Sequence, residues 1–290
     1  MARMRPVATF SIVARDPDSG DLGVATASKF LAVGAVVPHA VAGVAAIATQ
    51  SYANTSYGPR AVAALRAGVP LELVHRAFAQ SDDQHASRQY GMVGASGAAV
   101  TFTGDACHPW AGGRAGDGWA AQGNLLTGPE VVDELVRAFL DAEGALPERL
   151  VAALRAGDAA GGDARGRQAA ALLVVREGAG YGGHDDRLVD LRVDDHADPV
   201  PRLAELLRMH RLYFAAPEED DLLPIEGEVE ARALAALIRA GRLPEGHAHW
   251  DDAADAALRA WAGRDNLEER MVSGRRIDRQ VLAHLAPDEG

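Results

Sequence analysis

The chain lacks the residues that several familiar chemistries require. Its 290 residues include one cysteine, Cys107. No intrachain disulfide can form, and a cysteine-based zinc centre is excluded. Positive charge is also scarce: 29 Lys and Arg face 41 Asp and Glu, for a net charge of −12. That sign argues against a nucleic-acid surface. A long apolar run is missing too. The most apolar segment, Leu31–Thr49, is broken by Pro38, His39 and Gly43 and is rich in Val and Ala. It predicts two buried strands rather than a membrane helix. At the start, Arg3 and Arg5 resemble a basic leader, but Pro6, Ser11 and Arg15 leave the apolar stretch too short for a secretion signal. The expected location is the cytoplasm.

Lysine is the sharpest deficit, since Lys29 is the only one. Arginine elsewhere fills every position that either residue can serve. A lysine that persists marks a place where a compact charge of adjustable pKa is wanted. The 48% hydrophobic and 24% charged content is that of a globular chain.

Thr9–Ala14 predicts a strand, Asp16–Asp21 a turn and Leu22–Ala27 the returning strand of a hairpin. Ala32–Val37 and Val41–Thr49 predict two further strands. Gly58–Pro59 opens a helix over Ala61–Ala67 that Gly68 closes, and a second covers Leu71–Gln80. Gln89–Val93 and Ala98–Thr103 predict a hairpin over Ser96–Gly97, and Gly118–Gln122 another strand. Pro129–Ala142 is an amphipathic helix with Val132, Leu135, Val136 and Phe139 on one stripe, and a second helix spans Pro147–Ala156. Strands over Gln168–Arg176 and Leu188–Val193 precede a helix over Pro199–Tyr213. Strand runs and helix pairs are segregated, which predicts an α+β fold of two stacked antiparallel sheets with helix pairs outside.

Residues 217–290 hold 17 acidic and 9 basic residues. Ala215–Glu228 carries Pro217 and Pro224 and predicts a linker. The expected division is a domain over 1–216, a linker over 217–227 and a small helical domain over 228–290. About sixty residues form a marginal core, so this piece is expected to dock on something.

Several motifs resemble the DUF1028 family: TFSIVARD (Thr9–Asp16), GVATASKFLAVGAVVP (Gly23–Pro38), ATQSYAN (Ala48–Asn54), WAAQGN (Trp119–Asn124), GPEVVDEL (Gly128–Leu135), GGDARGRQAAALLV (Gly161–Val174) and LVDLRVDDHADPV (Leu188–Val200). Together they cover roughly residues 9–214. The tail, including RDNLEER (Arg264–Arg270), resembles a small peptidoglycan-binding-like domain. The resemblance implies the N-terminal nucleophile (Ntn) hydrolase fold, a four-layer αββα sandwich. It also implies an amidohydrolase acting on a small amide or peptide-like substrate, without a cofactor or metal. In such enzymes the first residue attacks an amide and its own α-amino group is the base. Thr9 matches the family's start and is the candidate nucleophile. MARMRPVA precedes it here, so a free amine at Thr9 requires their removal. The alternatives are an Ntn-fold protein that binds or scaffolds without catalysis, and a cell-wall-associated protein guided by its tail, with cell-wall fragments as partners. A homodimer is compatible with the exposed acidic linker.

Other residues fit a catalytic cleft. Lys29 follows the second strand, where it can return beside Thr9 and stabilise a developing alkoxide. Ser28 can relay a proton or form a turn. Backbone N–H groups near Thr49–Ser51 can bind an oxyanion. Gln50, Asn54, Gln122 and Asn124 offer amides to orient a carbonyl or to satisfy buried loop backbone. Asp163, Arg165 and Arg167 lie on a glycine-rich loop, as a carboxylate clamp or an Asp–Arg network. Asp194, Asp195 and His196 predict a polar loop capping the following helix rather than a metal site. Gly178–Gly183 predicts a hairpin turn, Cys107 a partly buried structural cysteine rather than a Cys/His pair with the adjacent His108, and His247, His249 and Trp250 surface or docking residues.

Overall fold

The computed structural model describes residues 7–287; Arg3, Arg5 and Pro6, weighed above, lie outside them. The opening hairpin forms as expected, with β1 (Thr9–Arg15) antiparallel to β2 (Leu22–Ser28). Its turn is fixed by the Asp16 carboxylate, which accepts hydrogen bonds from the N–H groups of Asp18 and Ser19.

The next segment departs from expectation. Ala32–Val37 is not a strand but a short 3₁₀ turn at Val33–Ala35, entered through Ala32 at a left-handed φ of 53°. Its apolar character comes from packing: Val33 and Val37 are fully buried. Gly34 is pressed so close that a Cβ would stand 2.6 Å from the Ala171 methyl. The following strand is β3 (Pro38–Val41), and Val41–Thr49 splits at Gly43, with β4 (Ala45–Ser51) beyond it.

Helices α1 (Tyr57–Arg66) and α2 (Leu71–Ser81) come next, then the hairpin β5 (Arg88–Gly94) and β6 (Ala99–Thr103). β7 (Gly112–Gly116) is a strand that its glycine-rich sequence hides, and its partner β8 runs over Trp119–Asn124 rather than Gly118–Gln122. Helices α3 (Glu130–Asp141) and α4 (Leu146–Ala159), strands β9 (Ala169–Val175) and β10 (Arg187–Val193), and helix α5 (Pro199–Phe214) follow.

The strands form two antiparallel sheets. One has the order β10-β9-β2-β1-β8-β7, the other β3-β4-β5-β6. Three apolar cores separate four layers. One lies between the larger sheet and α3–α5, one between the sheets, and one between the smaller sheet and α1–α2. The architecture is the expected α+β arrangement of stacked sheets with helices outside.

Strand alternation explains how the layer between the sheets is built. Phe10, Ile12 and Ala14 of β1 face the α3–α4 side. The odd positions face the other sheet. Across the central strands these inward positions are apolar at one end, with Val13, Val24, Ala46, Val93 and Ala120. At the other end they are polar and buried: Thr9, Ser11, Thr26, Ser28, Gln50, Gln89, Gln122 and Asn124.

The chain divides between Leu207 and Arg208 into two compact units. The second contains β11 (Leu222–Pro224), α6 (Gly227–Arg239), α7 (Asp252–Arg264), β12 (Arg276–Asp278) and α8 (Arg279–Leu285). It has its own core around Leu237, Leu258 and Val281. The acidic stretch read as a linker includes structure: β11 pairs with β12, and Ile225 is buried. Arg270 and Asp278 form a buried ion pair, and Arg270 also donates to the carbonyls of Arg211 and Leu212.

Candidate functional site

The polar end of the inter-sheet layer is one connected network. Ser11 Oγ donates to Gln50 Oε1 at 2.6 Å and accepts from Gln122 Nε2 at 2.6 Å. Gln50 Nε2 reaches Gln89 Oε1 at 2.8 Å and the Thr9 carbonyl at 3.1 Å. Gln89 Nε2 donates to Gly123 O and Thr103 Oγ1, and Asn124 Nδ2 donates to Gln89 Oε1. Full pairing of buried amides stabilises such a layer, because an orphaned polar group there costs about 1–3 kcal/mol. Asn124 Oδ1 is left without a hydrogen-bond partner among the described residues. The strand register sets Asn124 directly across from Thr9.

Thr9 is completely buried, and its Oγ1 donates to the Val7 carbonyl at 3.0 Å. Its nitrogen is an ordinary peptide nitrogen, bonded to Ala8. Val7 belongs to the other sheet: its N–H and C=O are exchanged with Ser51 at 2.6 and 3.0 Å. Ala8 therefore crosses from one sheet to the other, and it is fully buried. Its carbonyl accepts two hydrogen bonds, one from Ser28 Oγ and one from Arg165 Nη2 at 3.2 Å.

The Arg165 guanidinium is aimed by Asp163, whose carboxylate takes Arg165 Nε at 3.0 Å and Nη2 at 2.7 Å in a two-pronged pair. Asp163 is itself buried and also accepts the Lys29 N–H at 2.8 Å. Lys29 is exposed, and its ammonium donates to the Arg167 carbonyl at 3.0 Å. It ties the end of β2 to the glycine-rich loop, whereas the expected place was beside the Thr9 hydroxyl.

Ser28, Gln50, Gln122, Asn124, Asp163 and Arg165 thus share one neighbourhood with Thr9. Asn54 and Arg167 have other work. Asn54 donates to Asp82 and accepts from Ser56 at the start of α1. Arg167 pairs with Asp158 and Asp198. The N–H groups expected to bind an oxyanion are already engaged, Thr49 with Val37 and Ser51 with Val7. Gln89 was not foreseen, although its place two residues before Gly91 and four before Val93 is an alternation signal. At the helix edge of the glycine-rich loop, Gln168 donates to Asp195, and His196 Nδ1 accepts the Asp198 N–H, as a turn should.

Backbone strain gathers at this end. Ser51 and Leu125 have positive φ of 62° and 53°, and such non-glycine conformations concentrate where function over-determines the chain. A cavity of about 400 Å³ opens against Ser28 and Asp163 and reaches Asp158 and Arg167. Cys107 sits nearby with its Sγ 3.4 Å from the Arg88 carbonyl, and burial pushes its thiol pKa up, which keeps it an inert group.

Beside the site, Asp82 accepts from Arg88 Nε at 2.9 Å, Tyr57 Oη at 2.8 Å and Asn54 Nδ2 at 3.0 Å. Burial works to raise its carboxyl, but these donors outweigh it and hold the group well below the ordinary carboxylate range. Burial and the Asp82 charge together push the Tyr57 hydroxyl up.

A layered α+β sandwich with a threonine at the head of a central strand and a polar interior around it defines the class of this first unit. The chain belongs to DUF1028, a family of unknown function, whose family model matches residues 9–203. A peptidoglycan-binding-like domain is matched over residues 213–285. The chain is similar to the crystal structure of a DUF1028 protein from Silicibacter pomeroyi, with 27% identity and a TM-score of 0.63, over 77% of this chain and 92% of that one. No curated protein matches the chain. Among the described residues no helix is long and apolar enough to cross a membrane.

Proposed function

We propose that the first unit is an Ntn-type amidohydrolase that frees its nucleophile, Thr9, by cutting its own Ala8–Thr9 bond. One observation carries the reading: Ser28 and Arg165 both donate to the Ala8 carbonyl, the group that gains negative charge when that bond is attacked. Thr9 Oγ1 is one five-membered ring away from the Ala8 carbonyl carbon by covalent connectivity. Its oxygen adds to that carbon, and its proton goes to the Thr9 nitrogen. The C–N bond then breaks, leaving Ala8 as an ester on Thr9 and a free α-amine. Water hydrolyses the ester, releasing the Ala8 carboxylate and restoring the hydroxyl.

The same groups then serve an amide substrate. The Thr9 amine takes the hydroxyl proton as Oγ1 attacks and passes it to the departing amine, and water then hydrolyses the acyl ester left on Thr9, releasing the substrate's carboxylate and restoring the hydroxyl. Asn124 Oδ1, without a partner among the described residues and across the strand pair from Thr9, supplies an acceptor for the new ammonium. The cavity lined by Ser28, Asp163 and Phe10 borders these groups without including Thr9. Lys29 acts as a positioning residue through the loop that carries Arg165.

Intact mass and N-terminal sequencing test the reading. The expected product begins at Thr9, and it is lost in Thr9→Ala and slowed by about 10²–10³ in Arg165→Ala, as removal of one oxyanion donor does. A chain that keeps the Ala8–Thr9 bond through prolonged incubation overturns the mechanism. The burial of Val7 and Ala8 then favours the second reading, a binding protein with a closed Ntn-type site. For the tail, the domain match supports cell-wall fragments as partners. Co-sedimentation with purified sacculi checks this, and no binding removes it.

A further inference from the structure

The way Val7 and Ala8 are held says more than that a bond can be cut. β3 pairs with β4 only from Ala45 to Ala48. Beyond that, Thr49 N–H is taken by the Val37 carbonyl, and the edge of β4 at Ser51 is filled by Val7 through two backbone hydrogen bonds. One residue later, the Ala8 carbonyl meets Ser28 and Arg165. Val7 is 4% exposed and Ala8 0%. A short extended segment is therefore recognised in three ways: strand pairing to Ser51, burial of a methyl side chain, and two donors on the terminal carbonyl. Adding a strand to a sheet edge is a general mode of peptide recognition, with main-chain bonds giving affinity and side-chain pockets giving specificity. Ser51 reaches this slot by holding a φ of 62°, a conformation that serine adopts only when its surroundings impose it.

We infer that Val7–Ala8 occupies the acyl-side subsites of a peptide-binding slot, and that the substrate is an extended peptidyl amide with a small residue before the bond cut. The segment ending at Ala8 is then a built-in occupant that blocks the slot until it leaves. For its chemistry this rests on the hydrolase reading above, but the slot itself is testable with the bond intact.

All samples carry Thr9→Ala, so that the Ala8–Thr9 bond stays whole. Val7→Pro removes the N–H that the Ser51 carbonyl accepts and dislodges the segment; Ala8→Gln, too long for the buried position, serves as a second displaced form. A fluorescein-labelled Arg-Pro-Val-Ala peptide with a free carboxylate is titrated onto the full chain, read by anisotropy. The displaced forms are expected to bind it at least about tenfold more tightly than the undisplaced chain, because the tethered segment no longer competes. Arg-Pro-Val-Leu should bind at least about tenfold more weakly than Arg-Pro-Val-Ala, and Arg165→Leu should abolish the difference between displaced and undisplaced chains. Equal binding of the Ala and Leu peptides, or no gain in either displaced form that retains a cooperative thermal transition, overturns the inference. Retention of the Ala8–Thr9 bond in the wild-type chain fails the hydrolase reading alone.

Discussion

Gly91 has no side chain because Gln122 occupies the space it would need: a Cβ on Gly91 would stand 2.0 Å from Gln122 Oε1 and within 2.9 Å of the rest of that amide. The amide cannot swing clear without cost, since its Nε2 is committed to Ser11 Oγ and its Oε1 to Thr101 Oγ1. Gly91→Ala is therefore expected to destabilise the first unit by about 2–4 kcal/mol, the loss of one buried and one partly buried hydrogen bond. Urea unfolding measures it. A change below ~0.5 kcal/mol would show that the network relaxes freely.

Asp82 gives the fold a defined acid response. Its folded pKa lies below its unfolded value, so the unfolded chain binds the extra proton and stability rises with pH through this window. The contribution is fully present above the ordinary carboxylate value of about 4 and is lost as pH falls from there toward the depressed folded value. Asp82→Asn leaves the buried Arg88 without its counter-ion and should cost about 3–5 kcal/mol at neutral pH. The variant's stability should also change less steeply with pH below about 4. Parallel acid titrations of both proteins followed by circular dichroism check the two effects together.

Lys29 and Asp163 both hold the loop that carries Arg165, but at different depths. Lys29→Met removes one exposed ammonium–carbonyl contact and should cost less than about 1 kcal/mol. Asp163→Asn weakens a buried carboxylate that serves the Lys29 N–H and the Arg165 guanidinium, and should cost about 2–4 kcal/mol. Hydrogen exchange at Arg165 and Gly166 should quicken in both, and far more in Asp163→Asn. Equal exchange in the two variants would remove the distinction.

In the second unit, the Arg270 and Asp278 side chains are 2% and 0% exposed. Breaking such a pair from one side strands a buried charge, so Asp278→Asn should destabilise this unit by about 3–5 kcal/mol. Calorimetry that resolves the two units checks it, and the first unit's transition should stay in place.

Much of this was legible in the residue pattern. The two-residue period of Thr9, Ser11, Val13 and of Val24, Thr26, Ser28 puts polar groups on one face at one end of the strands. Segregated strand and helix runs gave the layers. Three things were hidden for physical reasons. Gly112–Gly116 has no β-forming side chains, and only its backbone pairing to β8 makes it a strand. Ala32–Val37 is apolar because it is packed, and apolarity alone does not distinguish a buried turn from a buried strand. The partnership of Arg165 with the Ala8 carbonyl joins residues 157 positions apart, a relation that only the folded loop creates. Lys29 was singled out by composition, yet composition carried no information about the direction of its side chain.

The unequal ends of the layer between the sheets also set how the molecule responds to temperature. Contact among Val13, Val24, Val93 and Ala120 rests on the release of water from apolar surface, and that force weakens on cooling. The amide network around Gln50, Gln89 and Gln122 rests on directed hydrogen bonds, which do not share that dependence. Cold should therefore loosen the valine end first, while the glutamine end keeps the strands in register around Thr9.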